Sequence, residues 1–343
     1  MSPTSDIDWA SLLASLGEDV RARLIATRDA AGHGAMAQPA AQEGGDTIFA
    51  IDRAVEPVIE QAIARWPEAC RPLLLVAEGL GVDGRRRFDD GDPTAPLRYR
   101  LLCDPIDGTR NIMYDKRSAW FLAAVAPERG EATSLSDAIA SILLELPPSK
   151  QTLADTFIAC GGHAPLVAHR VDLRTGARVP LAVRPSRATE LRNGFAQVSN
   201  FFPGTKQLAA ALMERIAQRT LGEVRPGEAS VFDDQYITTG GQMVELMLGR
   251  DRFCCDLRPL LYRIVSQQTG KAVRGVECHP YDVAGAPVAR RAGVVLTDGF
   301  GRALDARFDV HAPVHWCGYA NESLRAAIEP VIVEWLGEHG VTA

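Results

Sequence analysis

The chain has 343 residues, 46% of them hydrophobic and 23% charged, with a formal net charge of -6. That length exceeds what one hydrophobic core usually serves, so two subdomains are expected. The acidic balance argues against a broad surface for a nucleic-acid polymer, and no apolar run approaches the ~20 residues of a membrane-spanning helix.

The first eight residues are polar and acidic and lack the charged-then-apolar order of a secretory signal. Seven cysteines, an odd number without Cys-x-x-Cys spacing, read as reduced thiols, and the localisation expected is cytoplasmic. Trp9, Leu12, Leu13, Leu16, Val20, Leu24 and Ile25 recur at helical spacing, which predicts a core-facing amphipathic helix over 8–28. Residues 38–45 read as a loop. Asp52 is placed to cap a second helix that runs to about residue 65, with Pro57 acceptable if it falls in the first turn. Leu73-Leu74-Leu75-Val76-Ala77 is a buried strand ending on Glu78-Gly79. An acid at the end of so apolar a strand is costly unless something pairs with it, and a metal would do so. Arg85-Arg86-Arg87 with Asp89, Asp90 and Asp92 reads as a solvated loop over 81–96.

A strand over 99–103 delivers the hexapeptide Asp104-Pro105-Ile106-Asp107-Gly108-Thr109. Pro105 keeps Asp104 out of helical conformations, and Gly108 permits a tight turn and close approach to the main chain. Asp104 and Asp107 are thus presented on a rigid turn, near enough to share a cation, ahead of a short helix over 110–114. Hard oxygen ligands beside a helix start suit a magnesium-bound phosphate. Asp-Pro and Asp-Gly are also ordinary turn dipeptides, but both within six residues, after a strand and before a helix, ask for more than turn chemistry.

Further strands are expected over 120–126, then a β-meander over 157–183 with a turn at Thr175-Gly176, and a subdomain boundary at Pro185-Ser186. Residues 138–146 have helix-like composition. Beyond the boundary come a strand over 194–198, helices over 208–219 and 242–248 (the latter stopped by Gly249), and a strand over 253–256. Asp282, in His279-Pro280-Tyr281-Asp282-Val283-Ala284-Gly285-Ala286, sits where a helix begins; an N-cap is its plain reading. A strand over 294–297 and a last helix over 321–337 complete the chain. His311 and His315 carry no assigned role.

The hexapeptide resembles the signature of the inositol monophosphatase and fructose-1,6-bisphosphatase superfamily, whose members are metal-dependent, often lithium-sensitive phosphomonoesterases. A second element resembles the family's Trp-Asp followed by small residues, a helix and an Ala-Gly before a strand. Here it is Tyr281-Asp282 followed by Ala292-Gly293, with Leu304-Asp305 matching the closing turn. The resemblance spans roughly 46–305 and places a strand at 138–146. It implies a layered αβαβα sandwich of the sugar phosphatase type. An α+β half (1–186) would carry Glu78 and the hexapeptide, and an α/β half (187–343) would carry Asp282, with the site in the cleft between them.

By the same resemblance Glu78, Asp104, Asp107, Asp282 and the Ile106 carbonyl would hold two or three Mg2+. Asp52 and Thr109 would orient the attacking water, with Glu78 sharing the catalytic role, and Gly108, Thr109 and Asp282 would contact the substrate. The activity implied is Mg2+-dependent hydrolysis of a small phosphorylated polyol or sugar, inositol monophosphate first. Fructose-1,6-bisphosphate and 3'(2'),5'-bisphosphate nucleotides are the rivals, and a catalytically idle metal- or phosphate-binding module is the non-enzyme alternative. The expected partner is a small phosphate ester rather than a nucleic-acid polymer or a membrane, and family members commonly form homodimers. Three departures stand out: Gly79 replaces a second glutamate, 257–277 is inserted before Asp282, and Gly275 stands where the family has its inositol-contacting acid.

Overall fold

The computed structural model describes residues 7–31, 39–43, 46–80, 83–162 and 164–343, with the backbone alone at 31, 39–43 and 46–52. Helix α1 (Trp9–Ala31) turns Trp9, Leu13, Leu16, Val20 and Leu24 inward, the stripe that the sequence spacing dictates. A Cβ on its Gly17 would lie 2.9 Å from Phe121 and Leu144, so a glycine lets the helix lie directly on the sheet beneath.

Strands β1 (Pro39–Glu43) and β2 (Asp46–Phe49) pair antiparallel, where a loop was expected. Pro39, Ala40 and Ala41 have little strand preference of their own, and the pairing comes from the better strand former Thr47-Ile48-Phe49. Helix α2 (Ala50–Ala64) begins earlier than Pro57 requires, which places that proline inside the helix, where one intrahelical hydrogen bond is lost.

The large sheet contains β3 (Leu73–Ala77), β4 (Arg85–Phe88), β5 (Tyr99–Asp107), β6 (Ala119–Pro127), β7 (Ala140–Leu146), β8 (Leu153–Cys160), β9 (Val167–Asp172) and β10 (Arg178–Pro180). Their order is β10-β9-β8-β7-β6-β5-β3-β4, antiparallel throughout except for the parallel pair β3 and β5. Strand β4 corrects the reading of 81–96 as a loop throughout. Its three arginines face β3 in register and leave a charged edge, a composition that blunts edge-to-edge association. Strand β7 is buried at every position, so its sequence shows no alternation, and composition alone misleads there. Helix α3 (Thr109–Met113) follows β5 directly.

The second sheet contains β11 (Phe195–Val198), β12 (Asp251–Asp256), β13 (Val295–Thr297) and β14 (Trp316–Tyr319), in the order β11-β12-β14-β13. Strand β14 was not anticipated; Trp316-Cys317-Gly318-Tyr319 is short and wholly buried, so no pattern announces it. The remaining helices are α4 (Lys206–Leu221), α5 (Thr239–Met247), α6 (Arg258–Thr269), α7 (Ala286–Arg291) and α8 (Glu322–Glu338).

Helices α1 and α2 cover one face of the large sheet, α5 and α7 lie between the sheets, and α4 and α8 cover the outer face of the small one. This is the expected αβαβα layering. Among the described residues no helix is long and apolar enough to cross a membrane.

Candidate metal centre

Residues three apart on a regular strand point to opposite faces, so Asp104 and Asp107 should not meet. Strand β5 solves this with an irregularity. Asp104 lies opposite Leu122 and Asp107 opposite Trp120, so β5 advances three residues while β6 advances two. One extra residue is accommodated, at Pro105-Ile106, where the proline has no N–H to give to the ladder. The bulge turns both aspartates to one side. Asp282 arrives from the other half of the chain, on a single helical turn (Tyr281–Val283), and the three side chains bring carboxylate oxygens within 4.8 Å of one another.

Each acid is held. Asp104 Oδ1 accepts the Ile106 N–H at 3.0 Å, and Asp282 Oδ2 accepts the His279 N–H at 2.6 Å. Asp107 takes three hydrogen bonds from the start of α5: from Thr238 Oγ1 at 2.5 Å, Gly240 N at 2.6 Å and Thr239 N at 3.2 Å. The Thr109 hydroxyl donates to the Ile106 carbonyl at 2.9 Å. Gly108 caps α3 at φ +91°, and a Cβ there would stand 2.9 Å from both the Ile237 carbonyl and Thr238 Cβ. Gly108→Ala is therefore expected to destabilise the protein by about 2 kcal/mol or more, from backbone strain plus that clash, measurable as a lowered denaturation midpoint.

Asp104 is 1% exposed and Asp107 5%. Burial, then the charges of Glu78, Asp107 and Asp282, push Asp104 well above the usual carboxylate range. Burial and then Asp282 push Asp107 up to about 7, with the hydrogen bonds from α5 working the other way. Among the described residues no Arg or Lys forms an ion pair with Asp104 or Asp107. Buried like charges of this kind call for a cation, and an all-oxygen donor set fits a hard one such as Mg2+.

No family model matches the chain, and no curated protein matches it in sequence. Solved structures do match it in fold. A fructose-1,6-bisphosphatase from Leishmania major superposes with a TM-score of 0.67 at 12% identity, covering 95% of this chain and 92% of that one. An IMPase from Thermotoga maritima gives 0.61 at 18% identity, over 97% of this chain and 100% of its own. The extragenic suppressor protein SuhB from Bartonella henselae gives 0.59 at 16%, over 94% and 97%.

The chain shares the fold of these solved structures.

Within that fold the residues singled out from the sequence fall as follows. Asp104, Ile106, Asp107, Gly108 and Thr109 occupy the end of β5 and the start of α3, and Asp282 closes on them from the second half. Glu78 follows β3, its N–H directed to the Cys103 carbonyl at 3.4 Å; the residue is exposed and stands outside the tight group of three. Asp52 lies in the first turn of α2, and its side chain is outside the described residues.

The stretch 257–277, read from the sequence as an insertion, contains α6. Arg258 binds the Asp256 carboxylate through Nε and Nη2, and both Arg258 Nη1 (3.0 Å) and the Tyr262 hydroxyl (2.9 Å) donate to the Val276 carbonyl. The Arg258 guanidinium lies 5.1 Å from the Phe201 ring centre and 5.6 Å from that of Phe202, which in turn faces Arg110 of α3. These contacts brace the segment around Val276 that leads to Asp282.

Thr238, Thr239 and Gly240 were missed by sequence reasoning. The helix was expected to start at Gln242, three residues late, which hid Thr238 as its cap. A threonine ahead of two glycines and an apolar run was the available signal.

Proposed function

We propose that this chain is a Mg2+-dependent phosphomonoesterase that hydrolyses a small phosphorylated polyol or sugar with water as the attacking group. The observation that carries the reading is the convergence of Asp104, Asp107 and Asp282, with Asp104 and Asp107 buried. Glu78, the three aspartates and the Ile106 carbonyl are the groups that would hold the cation or cations. Bound there, Mg2+ supplies charge neutralisation for a phosphate and a lower pKa for water.

The rest is positioning by the chain itself, which is most of what phosphoryl transfer asks of a protein. The Thr109 hydroxyl gives its one hydrogen to the Ile106 carbonyl, which holds its side chain at the start of α3. Asp52 is assigned, together with Thr109, to orienting the attacking water. The N–H groups of Gly108 and Thr109 are assigned to the phosphate oxygens, and Asp282 to the flank of the substrate.

The test is inorganic phosphate release from inositol phosphates, fructose-1,6-bisphosphate, 3'-phosphoadenosine nucleotides and glycerol phosphates, with and without Mg2+. Release from at least one, abolished by chelation, is the expected result, and the preferred compound names the substrate class. Release indifferent to chelation overturns the reading. Silence across the panel from a chain that binds the metal does so too, in favour of an idle fold.

A further inference from the structure

We propose that Thr238 is a positioning residue that fixes Asp107 as a metal ligand through Oδ1 alone. This rests on the metal site put forward above.

The argument is a count of hydrogens and lone pairs. The Thr238 side-chain oxygen accepts the Gly241 N–H at 3.1 Å, closing the first turn of α5. A hydroxyl has one hydrogen, and with that acceptor role filled the hydrogen is free to go to Asp107 Oδ2, 2.5 Å away. The Gly240 N–H reaches the same oxygen at 2.6 Å. A carboxylate oxygen has two lone pairs, so Oδ2 is full. Among the described residues Oδ1 accepts only the Thr239 N–H, at 3.2 Å, and keeps one lone pair for a cation. Asp107 thus enters the metal site as a one-handed ligand, its other oxygen committed to the opposite half of the molecule.

The contact is too tight to be incidental. A Cβ on Gly240 would lie 3.1 Å from Asp107 Oδ2 and 2.6 Å from Leu122, so only a glycine brings this N–H so close. Gly108 is equally without room against Thr238. The neighbouring residues secure the same segment. Asn111 Nδ2 donates to the Ile237 carbonyl at 2.9 Å, and the Tyr236 hydroxyl donates to the Ser118 carbonyl at 2.8 Å. Trp120, which faces Asp107 in the ladder, donates through Nε1 to the Tyr236 hydroxyl at 3.1 Å. Residues 236–240 therefore form a strap tying the start of α5 to β5, α3 and β6. Thr238 is the one point where a side chain of the strap bonds the acid itself.

The experiment is calorimetric titration of chelator-stripped protein with Mn2+ as the probe cation. Thr238→Val should bind about tenfold more weakly or worse, the usual loss when a hydrogen-bonded neighbour of a ligand is removed. Thr238→Ser keeps both hydrogen bonds and should stay within about twofold of wild type. If the valine variant fails to fold, Thr238→Gly takes its place, because glycine is a tolerated N-cap and has no hydroxyl. Asn321→Ala is the structural control. It removes the matching cap of α8, where Asn321 accepts the Leu324 N–H at 3.1 Å, and should lower thermal stability with Mn2+ affinity unchanged.

Wild-type affinity in the Val or Gly variant overturns the proposal, as does a serine variant as weak as they are. A wild-type chain that binds no Mn2+ removes the metal site itself and the proposal with it.

Discussion

Asp104→Asn is expected to lower Mg2+-dependent phosphate release by about a thousandfold and, in protein stripped of metal, to raise the melting temperature. The two effects have one cause. Asp104 is almost completely buried among like charges, and in the absence of a cation its ionised form is held at a loss. Asparagine has the same shape, can keep the hydrogen bond from the Ile106 N–H through its own oxygen, and brings no charge. The stripped variant should therefore melt some degrees higher than the stripped wild type. With Mg2+ the order reverses, since an amide is a poor ligand for a hard cation; a loss of about 4 kcal/mol of transition-state stabilisation is the thousandfold in rate. Phosphate-release kinetics and thermal melts with and without chelator decide the matter. Unchanged activity sinks the catalytic reading, and a lowered melting temperature in the stripped variant would show that Asp104 serves the fold rather than a cation.

Asp104 and Asp107 were visible in the sequence because turn chemistry leaves local marks. A proline and a glycine flanking two acids after an apolar run constrain the backbone wherever they occur. What was hidden is non-local. The bulge that brings Asp104 and Asp107 to one side depends on pairing with Leu122 and Trp120, and nothing in the hexapeptide encodes its partner strand. Thr238 and Gly240 act on Asp107 from more than a hundred residues away, and a short cap motif says nothing about what lies opposite it. The same limit applies to strands. Those buried on one face alternate and can be read, whereas β7 and β14 are buried throughout and leave no period. The edge strand β4 failed in the other direction. Arg85-Arg86-Arg87 looks like a solvated loop because an edge is half solvent, and only pairing with β3 makes it a strand. The stretch 257–277, read as an insertion without assigned structure, contains α6, held by Arg258 and Tyr262, whose shared acceptor, the Val276 carbonyl, is set by tertiary contact.

The stabilisation conferred by Mg2+ is expected to grow with pH between about 5 and 7.5. Asp107 ordinarily titrates near 3.8 and is pushed up to about 7 in the folded, metal-free chain, by burial first and the Asp282 charge second. Asp104 moves in the same direction. Between those values the folded protein binds more protons than the unfolded one, so the metal-free fold loses stability as pH rises through that window. Asp251, at the start of β12, is likewise raised to about 7, by burial and then Glu245, and adds to the decline without belonging to the site. The useful quantity is therefore the difference in melting temperature with and without saturating Mg2+, in which the Asp251 contribution cancels. Near pH 5 the cation must displace protons from the aspartates and gains little. Above pH 7 it meets an Asp107 carboxylate already ionised and relieves its repulsion from Asp282. A difference rising by about 5 °C or more across the window is the expected result, read from thermal melts at fixed ionic strength. A difference independent of pH would mean that the cation binds away from Asp104 and Asp107, since no ligand set built on two acids held so far above their ordinary range can bind without competing with protons.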